Sequence, residues 1–557
     1  MAALHIALLL IASPHLRATL AAPPTVIFNV IIDDLGNANV GWHTPNPPEN
    51  LTPRLHALAQ QGVILERQYN HFTCTPSRSA FTTGRLPVHV QLTLDNPDSI
   101  TSGIPCNMTA LPLKLRDAGF ATSFIGKWDM GWASAAHHSP EARGYERSLA
   151  YAEHMSNYWS LKVEPTGTNC ASQQGNSTHN TLYDLWRDGA PASDLVDKGL
   201  YIEDIFQARV LETIANFSAG RGAGGPQRLF LDYRPHSLHW PLMVDEEAFN
   251  NHSWVTDDEA GCKFRFYGDQ PWPGAPASAY SCRRLYQAML SNLDRRLGEV
   301  VYALAAEGLW STTLMTTMSD NGGCVSLKEN AGNNWPLRSG KYHPFEGGVR
   351  VAAMWSGGYL PPAARGTTST ALVSVADYYA TFCELAGLTA AACAADALAA
   401  AGGLPPIDSR SAWDAVVNGG PPPRAELPID TSVLIAVNGT RWWKLFTNPN
   451  VVGAGWTGPV FPNATSQDPE GDTMACKKGG CLFDVFADPG ERDDVAAQFP
   501  DVVAAMGARL DALAQTFYSN SDYGGTDVCP PGTKGDCLCW AAENLWGNFV
   551  GPYHTWP

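Results

Sequence analysis

Four predicted strands of this chain each end on polar residues, and that pattern restricts the fold more than any other feature. The first, residues 25–32, is an almost continuous apolar and β-branched run that leads into Asp33-Asp34. Such a run is typical of a strand buried on both faces of a largely parallel sheet. The other three strands are predicted at 121–125 before Lys127, at 228–233 before His239, and at 314–318 before Asp320-Asn321.

Helical patterns alternate with these strands. Residues 52–61 are predicted to form a helix that stops at Gly62, and residues 282–307 have a long helical period. The alternation predicts an α/β fold with a large mixed, mostly parallel sheet flanked by helices. Ligands of open α/β sheets bind at the carboxyl ends of the strands. We therefore expect the four groups of polar side chains to meet at one edge of the sheet.

A smaller C-terminal α+β domain, built on a short antiparallel sheet, is predicted beyond the Pro- and Gly-rich stretch 402–423. Residues 433–436 and 441–446 are predicted to pair across a turn that contains Asn438-Gly439, a dipeptide typical of hairpins. The remaining predicted elements are a strand over 482–486, a helix over 502–518 and a disulfide-pinned tail from Ser519. The predicted organisation is a signal peptide at 1–22, the main α/β domain at 23–420 and the smaller domain at 421–557.

The start of the chain predicts entry into the secretory pathway. An apolar run at 4–12 is followed by small residues up to Ala22, the pattern of a cleaved signal peptide, and it is too short to span a bilayer. With Cys74 set aside, the rest of the 13 cysteines are even in number and could all pair. Glycosylation sites of the type Asn-x-Ser/Thr occur at Asn50, Asn107, Asn176, Asn216, Asn251, Asn438 and Asn463. We expect an extracellular or lysosome-like destination without stable membrane insertion.

The composition and the net charge restrict the kinds of molecule that this protein can bind. Hydrophobic residues make up 45% of the chain and charged residues 16%, as in an ordinary globular protein with a sizeable core. The formal net charge of −17 argues against nucleic acid as a partner. It does not exclude an anionic substrate, because a few Lys and Arg beside a metal can dominate the field inside a cleft.

Asp33, Asp34, Asp320 and Asn321 form an oxygen-only set of candidate metal ligands. Oxygen ligands suit hard cations such as Ca²⁺ or Mg²⁺ rather than zinc or copper. Adjacent acidic residues are common in turns, so neither pair alone predicts a metal site. Both pairs follow buried strands, and it is this coincidence that predicts one.

The run Cys74-Thr75-Pro76-Ser77-Arg78, followed by Thr83-Gly84, resembles the signature of the sulfatase family. The resemblance extends from Pro24 to about Tyr518 through further motifs, which are Asp33-Asp34-Leu35-Gly36, Thr52-Pro53-x-Leu55, Gly126-Lys127-Trp128, His239-x-Pro241, Ser319-Asp320-Asn321-Gly322-Gly323, Gly332-Asn333-Asn334-Trp335-Pro336-Leu337-Arg338, Lys341 and Glu346-Gly347-Gly348-Val349-Arg350. Among sulfatases, the Asn-Trp-Pro-Leu-Arg segment most resembles the arylsulfatase B type, which removes the 4-sulfate of N-acetylgalactosamine. The resemblance implies an alkaline-phosphatase-like fold and hydrolysis of the sulfate ester of a carbohydrate or an aryl alcohol.

The resemblance also implies the chemistry of the site. Cys74 would be oxidised to formylglycine by the formylglycine-generating enzyme, and the hydrated aldehyde would be the nucleophile. One divalent metal per chain, Ca²⁺ in preference to Mg²⁺, would be held by the modified residue 74 together with Asp33, Asp34, Asp320 and Asn321. The groups in contact with residue 74, the sulfate or the leaving oxygen would be Arg78, Lys127, His239 and Lys341. The implied substrate is a sulfated small molecule or polysaccharide.

One position departs from the family pattern. Sulfatases usually read Gly-Lys-Trp-His, whereas Asp129 follows Trp128 here. The family histidine bonds the formylglycine hydroxyl and is a candidate base for sulfate release. Asp129 could accept a proton, but it places a negative charge beside an anionic substrate. His137 or His138 could take the place of the missing imidazole.

Asp129 leaves three interpretations open, namely a slower sulfatase, a shifted substrate and a lost activity. A hydrolase of the same superfold could instead act on a phosphate diester or a phosphonate. A catalytically impaired homologue could bind sulfated glycans without hydrolysing them.

Overall fold

The structure is a computed structural model that describes residues 22–44, 52–92, 103–163, 182–255, 270–276, 281–326, 330–462, 469–477, 479–518, 529, 532–533 and 537–554. The predicted signal peptide lies outside the described residues apart from Ala22. Three of the predicted glycosylation sites, Asn50, Asn176 and Asn463, also lie outside them.

The described strands are β1 (Val26–Ile32), β2 (Val63–Leu65), β3 (Gln68–Tyr69), β4 (Phe120–Lys127), β5 (Arg147–Tyr151), β6 (Trp186–Arg187), β7 (Ala190–Pro191), β8 (Arg228–Arg234), β9 (Thr313–Ser319), β10 (Ala353–Ser356), β11 (Thr367–Ser369), β12 (Val373–Ser374), β13 (Glu426–Pro428), β14 (Val433–Asn438), β15 (Arg441–Phe446), β16 (Asn450–Ala454), β17 (Glu470–Ala475) and β18 (Cys481–Asp484). The described helices are α1 (Pro53–Gln60), α2 (Cys74–Thr83), α3 (Pro87–Val90), α4 (Leu111–Asp117), α5 (Ala135–His138), α6 (Ile202–Gly222), α7 (Glu246–Asn250), α8 (Cys282–Ala306), α9 (Glu346–Val349), α10 (Asp377–Leu385), α11 (Ala390–Ala394), α12 (Ala397–Ala401), α13 (Trp413–Val417), α14 (Pro500–Ala514) and α15 (Cys537–Asn544).

Ten of these strands form one mixed sheet in the order β11-β2-β10-β9-β1-β8-β4-β5-β6-β7. The four central strands, β9, β1, β8 and β4, are parallel to one another. Antiparallel pairs occur on both sides of them, at β9–β10 and at β5–β6. The predicted α/β fold with a mostly parallel sheet is confirmed.

Strand β1 lies at the centre because its sequence can be buried on both faces. Ile27 and Ile31 point into one hydrophobic core, with residues of α2, α4 and α10. The alternate residues Val26, Phe28 and Val30 point into a second core, with residues of α6 and α8. This period of two is the one expected for a strand. The sheet is therefore covered by helices on both faces.

A four-stranded antiparallel sheet, β13-β14-β15-β18, follows the Pro- and Gly-rich stretch. The predicted hairpin is confirmed, with Asn438 paired to Arg441 across the turn. Strand β18 ends at Asp484, two residues earlier than predicted, and Phe486 beyond it is about half exposed. Helix α14 begins at Pro500, a residue suited to the first turn, and covers one face of this sheet. The other face of this sheet packs into the main core, so the sheet has no separate core on that side. The domain boundary at 420 therefore remains a prediction.

The described cysteines are partly paired. Disulfides join Cys476 to Cys481 and Cys529 to Cys537, whereas Cys74, Cys383 and Cys393 are free thiols, so the cysteines other than Cys74 do not all pair as their even number allowed. The described glycosylation sites are all exposed, at Asn107, Asn216, Asn251 and Asn438. Within the described residues, no helix has the length and apolar character needed to cross a membrane.

Candidate active site

The polar ends of β1, β9, β4 and β8 meet at one edge of the large sheet. In the register of β1 and β9, Ile32 lies opposite Ser319, so Asp33 and Asp320 leave the sheet side by side. The backbone N–H of Asp34 donates to Asp320 Oδ1 at 3.2 Å, which ties the two loops together. Lys127 is the last residue of β4, and His239 lies in the loop after β8. The parallel strands thus bring together residues that are more than 280 positions apart in the chain.

Cys74 is the first residue of α2 and is about 1% exposed. Its Sγ donates to Asp33 Oδ1 at 3.7 Å. Burial raises the pKa of this thiol well above its usual range, although Lys127 and Lys341 oppose the effect. The unmodified side chain is therefore a thiol and not a nucleophilic thiolate. The N-terminus of α2 is the positive end of the helix dipole, which favours an anion at this place.

Two buried cations near Cys74, Lys127 and Arg78, pair with the acidic groups. Lys127 Nζ donates to Asp33 Oδ2 at 2.8 Å. Arg78, one turn along α2 from Cys74, donates from Nη2 to Asp320 Oδ2 at 2.8 Å and lies 3.4 Å from Asp33 Oδ2. Arg78 Nη1 also donates to the backbone carbonyl of Lys127 at 3.1 Å. Both side chains are fully buried and are held rigidly by these contacts.

Lys341 and His239 form the opposite wall of the site. Lys341 Nζ donates to Asp34 Oδ2 at 3.0 Å and to His239 Nε2 at 2.9 Å. His239 Nδ1 lies 2.7 Å from the carbonyl oxygen of Trp240, which can only accept a hydrogen bond. The proton of the imidazole is therefore on Nδ1, and Nε2 is the acceptor. Burial and then Lys341 lower the pKa of His239 well below its usual range, so this ring is neutral.

Tyr158 holds the loop that carries His239. Tyr158 Oη lies 2.9 Å from the carbonyl oxygens of both His236 and His239. The ring of His236 stacks on Tyr158 at a centroid distance of 4.0 Å. Tyr158 is a positioning residue that the sequence motifs did not reveal, since it lies about 80 positions from the loop it holds.

The oxygen ligands predicted for the metal are all buried at this edge, as Asp33, Asp34, Asp320 and Asn321. Ligand atoms of Asp33, Asp34, Cys74 and His239 lie within 4.8 Å of one another. Asn321 Nδ2 donates to Asp34 Oδ1 at 2.7 Å, whereas the buried Oδ1 of Asn321 accepts no hydrogen bond from the described residues. An amide oxygen without a partner beside three carboxylates fits a hard cation.

The pKa values of the three carboxylates also fit a site for a hard cation. Burial and the charge of Asp33 raise the pKa of Asp320 to about 7, and burial raises the pKa of Asp34. Burial acts on Asp33 in the same sense, but the charges of Lys127 and Arg78 outweigh it and hold the pKa of Asp33 well below its usual range. Three carboxylates this close disfavour one another's ionised form, and a divalent cation would relieve that repulsion.

Asp129 lies in the same site but has a partner that the sequence reasoning missed. His154 Nδ1 lies 2.7 Å from Asp129 Oδ1, and Thr75 Oγ1 donates to the same oxygen at 2.9 Å. Oδ2 lies 3.5 Å from Lys127 Nζ. Burial would raise the pKa of Asp129, but His154 and Lys127 outweigh it and lower that pKa, so Asp129 is ionised.

The two histidines considered from the sequence lie elsewhere. His138 Nε2 is 3.8 Å from Cys106 Sγ, and its Nδ1 accepts from the backbone of Ser134. His137 is next to the charges of Arg143 and His554. The imidazole next to Asp129 instead comes from the loop after β5, 25 positions along the chain.

The arrangement has a clear electrostatic character. Arg78, Lys127 and Lys341 are buried around the first turn of α2, together with a set of oxygen ligands. A mostly parallel sheet with this cationic, metal-fitting edge is typical of enzymes that act on oxyanion esters. The fold and the site thus favour an enzyme that acts on an anionic ester.

Comparison with known proteins identifies the family. A model of the sulfatase family matches residues 24–388, more than half of the chain. The protein therefore belongs to the sulfatases, a family of sulfuric ester hydrolases.

Several relatives span most of the chain. Mouse arylsulfatase J is 28% identical over 525 residues, which are 88% of this chain and 76% of that protein. Bovine arylsulfatase A is 27% identical over 525 residues, covering 90% of both chains. The solved structure of Ps i-CgsB in complex with k-i-k-neocarrahexaose superposes with a TM-score of 0.65 at 22% identity, covering 90% of this chain and 94% of that one. The narrower resemblance to the arylsulfatase B type remains a prediction.

Proposed function

We propose that this protein removes sulfate from a sulfated carbohydrate or an aryl sulfate by means of a formylglycine at position 74 and one bound Ca²⁺. The observation that carries the proposal is the position of Cys74. It is the first residue of a helix, it contacts Asp33, and two buried lysines act on its charge. An unmodified thiol with a raised pKa would be a poor nucleophile at that place, and unlike an aldehyde hydrate it has no second hydroxyl group that could expel sulfate.

The metal and the modified residue supply what the side chains lack. Formylglycine supplies an oxygen nucleophile that can release sulfate, and Ca²⁺ supplies positive charge for the ester oxygens. Asp33, Asp34, Asp320 and Asn321 would hold the metal together with residue 74. When all are ionised, Asp129 and the three ligand carboxylates at least balance Arg78, Lys127, Lys341 and a protonated His154, so these side chains give the site no excess of positive charge. A divalent cation would supply that excess, so that an anionic ester is attracted.

The remaining side chains bind and orient the ester. Arg78 and Lys127 stabilise charge that develops on the sulfate oxygens, since both are fixed and shielded from water. Lys341 Nζ is the proton donor to the leaving oxygen, because it is protonated and its hydrogen bond to His239 Nε2 holds it in place. Burial lowers the pKa of Lys341, but Asp34 outweighs burial and raises it well above its usual range.

The burial of Cys74 bears on when this residue is oxidised. Cys74 is about 1% exposed, so the formylglycine-generating enzyme could not reach it in the folded protein. Oxidation therefore precedes folding, in a secretory compartment where the exposed glycosylation sites can also be modified. We propose an extracellular or lysosome-like destination on these grounds.

A hydrolysis panel tests the proposed function. The substrates are an aryl sulfate, N-acetylgalactosamine 4- and 6-sulfates, the neocarrahexaose bound by the structural neighbour, and matched aryl phosphate and phosphonate esters, each with and without a chelator. We expect chelator-sensitive release of sulfate from at least one sulfate ester and slower turnover of the phosphorus esters. Faster turnover of a phosphonate than of every sulfate would favour the phosphonate hydrolase. Binding of sulfated sugars without release would favour the impaired homologue.

Replacing Asn321 by alanine is expected to weaken Ca²⁺ binding by about 10- to 100-fold, because the unpartnered Oδ1 is removed from the ligand set. The measurement is the rise in melting temperature with added Ca²⁺, which follows from binding to the folded state alone. Asn292→Ala is the matched control, a buried amide bonded to Asp245 and Arg296 outside the site. Equal Ca²⁺ stabilisation of Asn321→Ala and the unsubstituted protein would remove Asn321 from the metal site.

A further inference from the structure

The departure at Asp129 places a carboxylate where most sulfatases have an imidazole. Its Oδ1 is taken by two hydrogen bonds, from Thr75 Oγ1 at 2.9 Å and with His154 Nδ1 at 2.7 Å. Its Oδ2 is buried, accepts no hydrogen bond from the described residues and lies 3.5 Å from Lys127 Nζ. Lys127 in turn contacts Asp33, the hydrogen-bond acceptor of Cys74. One oxygen is thus anchored, and the other is directed towards the reacting groups.

His154 is held firmly in that position. It follows β5, which pairs with β4 so that Lys127 lies opposite Tyr151. Both backbone N–H groups just before it, of Ala152 and Glu153, donate to the buried carboxylate of Asp184 at 2.8 and 2.9 Å. His154 is therefore presented by a pinned segment and not by a free loop.

The exposure of the two side chains differs. Asp129 is about 1% exposed and His154 about 26%. His154 covers Asp129 on the solvent side, while Asp129 faces the interior of the site. A buried carboxylate needs a charged partner of this kind, because an unpaired charge in the interior is strongly disfavoured.

We propose that His154 is a positioning residue which, as the charge partner of Asp129, makes a carboxylate compatible with sulfate at this position. The imidazolium orients Asp129 through Oδ1 and offsets its negative charge. Oδ2 remains available as the proton acceptor of the site. The Asp129–His154 pair then stands in place of the single family histidine, and the inference rests on the proposed sulfatase function.

The inference predicts that the effect of His154 depends on Asp129. In His154→Ala the charge of Asp129 is no longer offset, so inorganic sulfate should bind about tenfold more weakly. In Asp129→Asn there is no charge to offset, so sulfate should bind at least as well as to the unsubstituted protein. Adding His154→Ala to Asp129→Asn should then change sulfate binding by less than about twofold. This non-additivity marks an interaction between the two side chains, which a general structural role of His154 would not produce.

The experiment is calorimetric titration of inorganic sulfate into the Ca²⁺-loaded full-length protein and the three variants, with kcat and KM for the best sulfate ester measured in parallel. His43→Ala is the matched control, since His43 also contacts a carboxylate, Glu66, outside the site. It should bind sulfate like the unsubstituted protein. Melting curves and aldehyde labelling of residue 74 confirm that each variant is folded and mature.

The outcomes separate this inference from the proposed function. Weaker sulfate binding in His154→Ala that disappears in the Asp129→Asn background supports the pair. Unchanged binding in His154→Ala, or the same loss in both backgrounds, overturns it while the sulfatase function stands. An unsubstituted protein that neither binds sulfate nor hydrolyses a sulfate ester overturns both.

Discussion

Replacing Cys74 by alanine is expected to reduce sulfate release to the background of the assay, a loss of at least about 10⁴-fold. The other groups of the site would remain, but none of them can replace the nucleophile. Lys127 and Lys341 are protonated donors, and Asp33 and Asp34 are committed to these cations. Cys74→Ser is expected to be equally inactive over many turnovers, because serine carries no aldehyde. The measurement is sulfate release together with labelling of residue 74 by an aldehyde-reactive probe.

Cys383→Ala provides the matched control for this experiment. Cys383 is also a buried free thiol, but it lies on α10, outside the site. It should retain aldehyde labelling and activity. Activity in Cys74→Ala comparable to that of the unsubstituted protein would contradict the nucleophile assignment, and so would full activity in a protein without an aldehyde.

Replacing Lys444 by methionine is expected to lower the free energy of unfolding by about 3–5 kcal/mol, the cost of breaking a buried ion pair from one side. Lys444 is fully buried in β15, with its Nζ 3.1 Å from Glu346 Oε1 and 2.9 Å from Glu491 Oε1. Glu346 begins α9, which follows closely after Lys341 in the chain. The network thus joins the small sheet to the segment that carries Lys341, the proposed proton donor. Without Lys444, two carboxylates would share a buried space with less cation to offset them.

The free energy of unfolding that is lost in Lys444→Met should depend on pH in a defined direction. Burial raises the pKa of Glu491 to about 7, although Lys444 opposes the effect. The folded state therefore holds this proton more tightly than the unfolded state does, so stability falls as pH rises from about 4.5 to about 7. Removing Lys444 strengthens that trend, and the variant should regain part of its stability near pH 5.

Urea unfolding at about pH 5 and about pH 8 measures the effect. The control is Lys114→Met, since Lys114 is only partly buried and its partners among the described residues are the backbone carbonyls of Ala392 and Ala395. It should cost less than about 1 kcal/mol. A Lys444→Met variant as stable as this control at both pH values would contradict the role of the buried network.

Much of the fold could be predicted because its signals are local. The run that became β1 is apolar at every position except Asn29, and only a strand covered on both faces hides such a run from water. The Asn-Gly turn likewise identified the β14–β15 hairpin. Element ends were less predictable. The helix expected over 502–518 runs over Pro500–Ala514, because helix ends depend on capping and tertiary packing as well as on the periodic pattern.

The positions of the candidate site residues were predictable for the same reason. Residues that directly follow parallel strands must emerge at one edge, so Asp33, Lys127, His239 and Asp320 could be grouped without a structure. Residues that position other site residues could not be predicted in this way. Neither Tyr158 nor His154 belongs to a motif, and each reaches the site from a loop whose path is set by packing.

The sequence by itself determined the class of protein, the strand ends that hold polar groups and the cysteine at the centre. Only the tertiary structure decided which partner each of these groups has. It gave Asp129 the imidazole of His154, placed the proton of His239 on Nδ1, and buried Lys444 between two carboxylates. The physical reason is that local patterns report what a residue's immediate neighbours require. Hydrogen bonds and ion pairs between distant segments depend on strand register and packing, which the whole chain determines together.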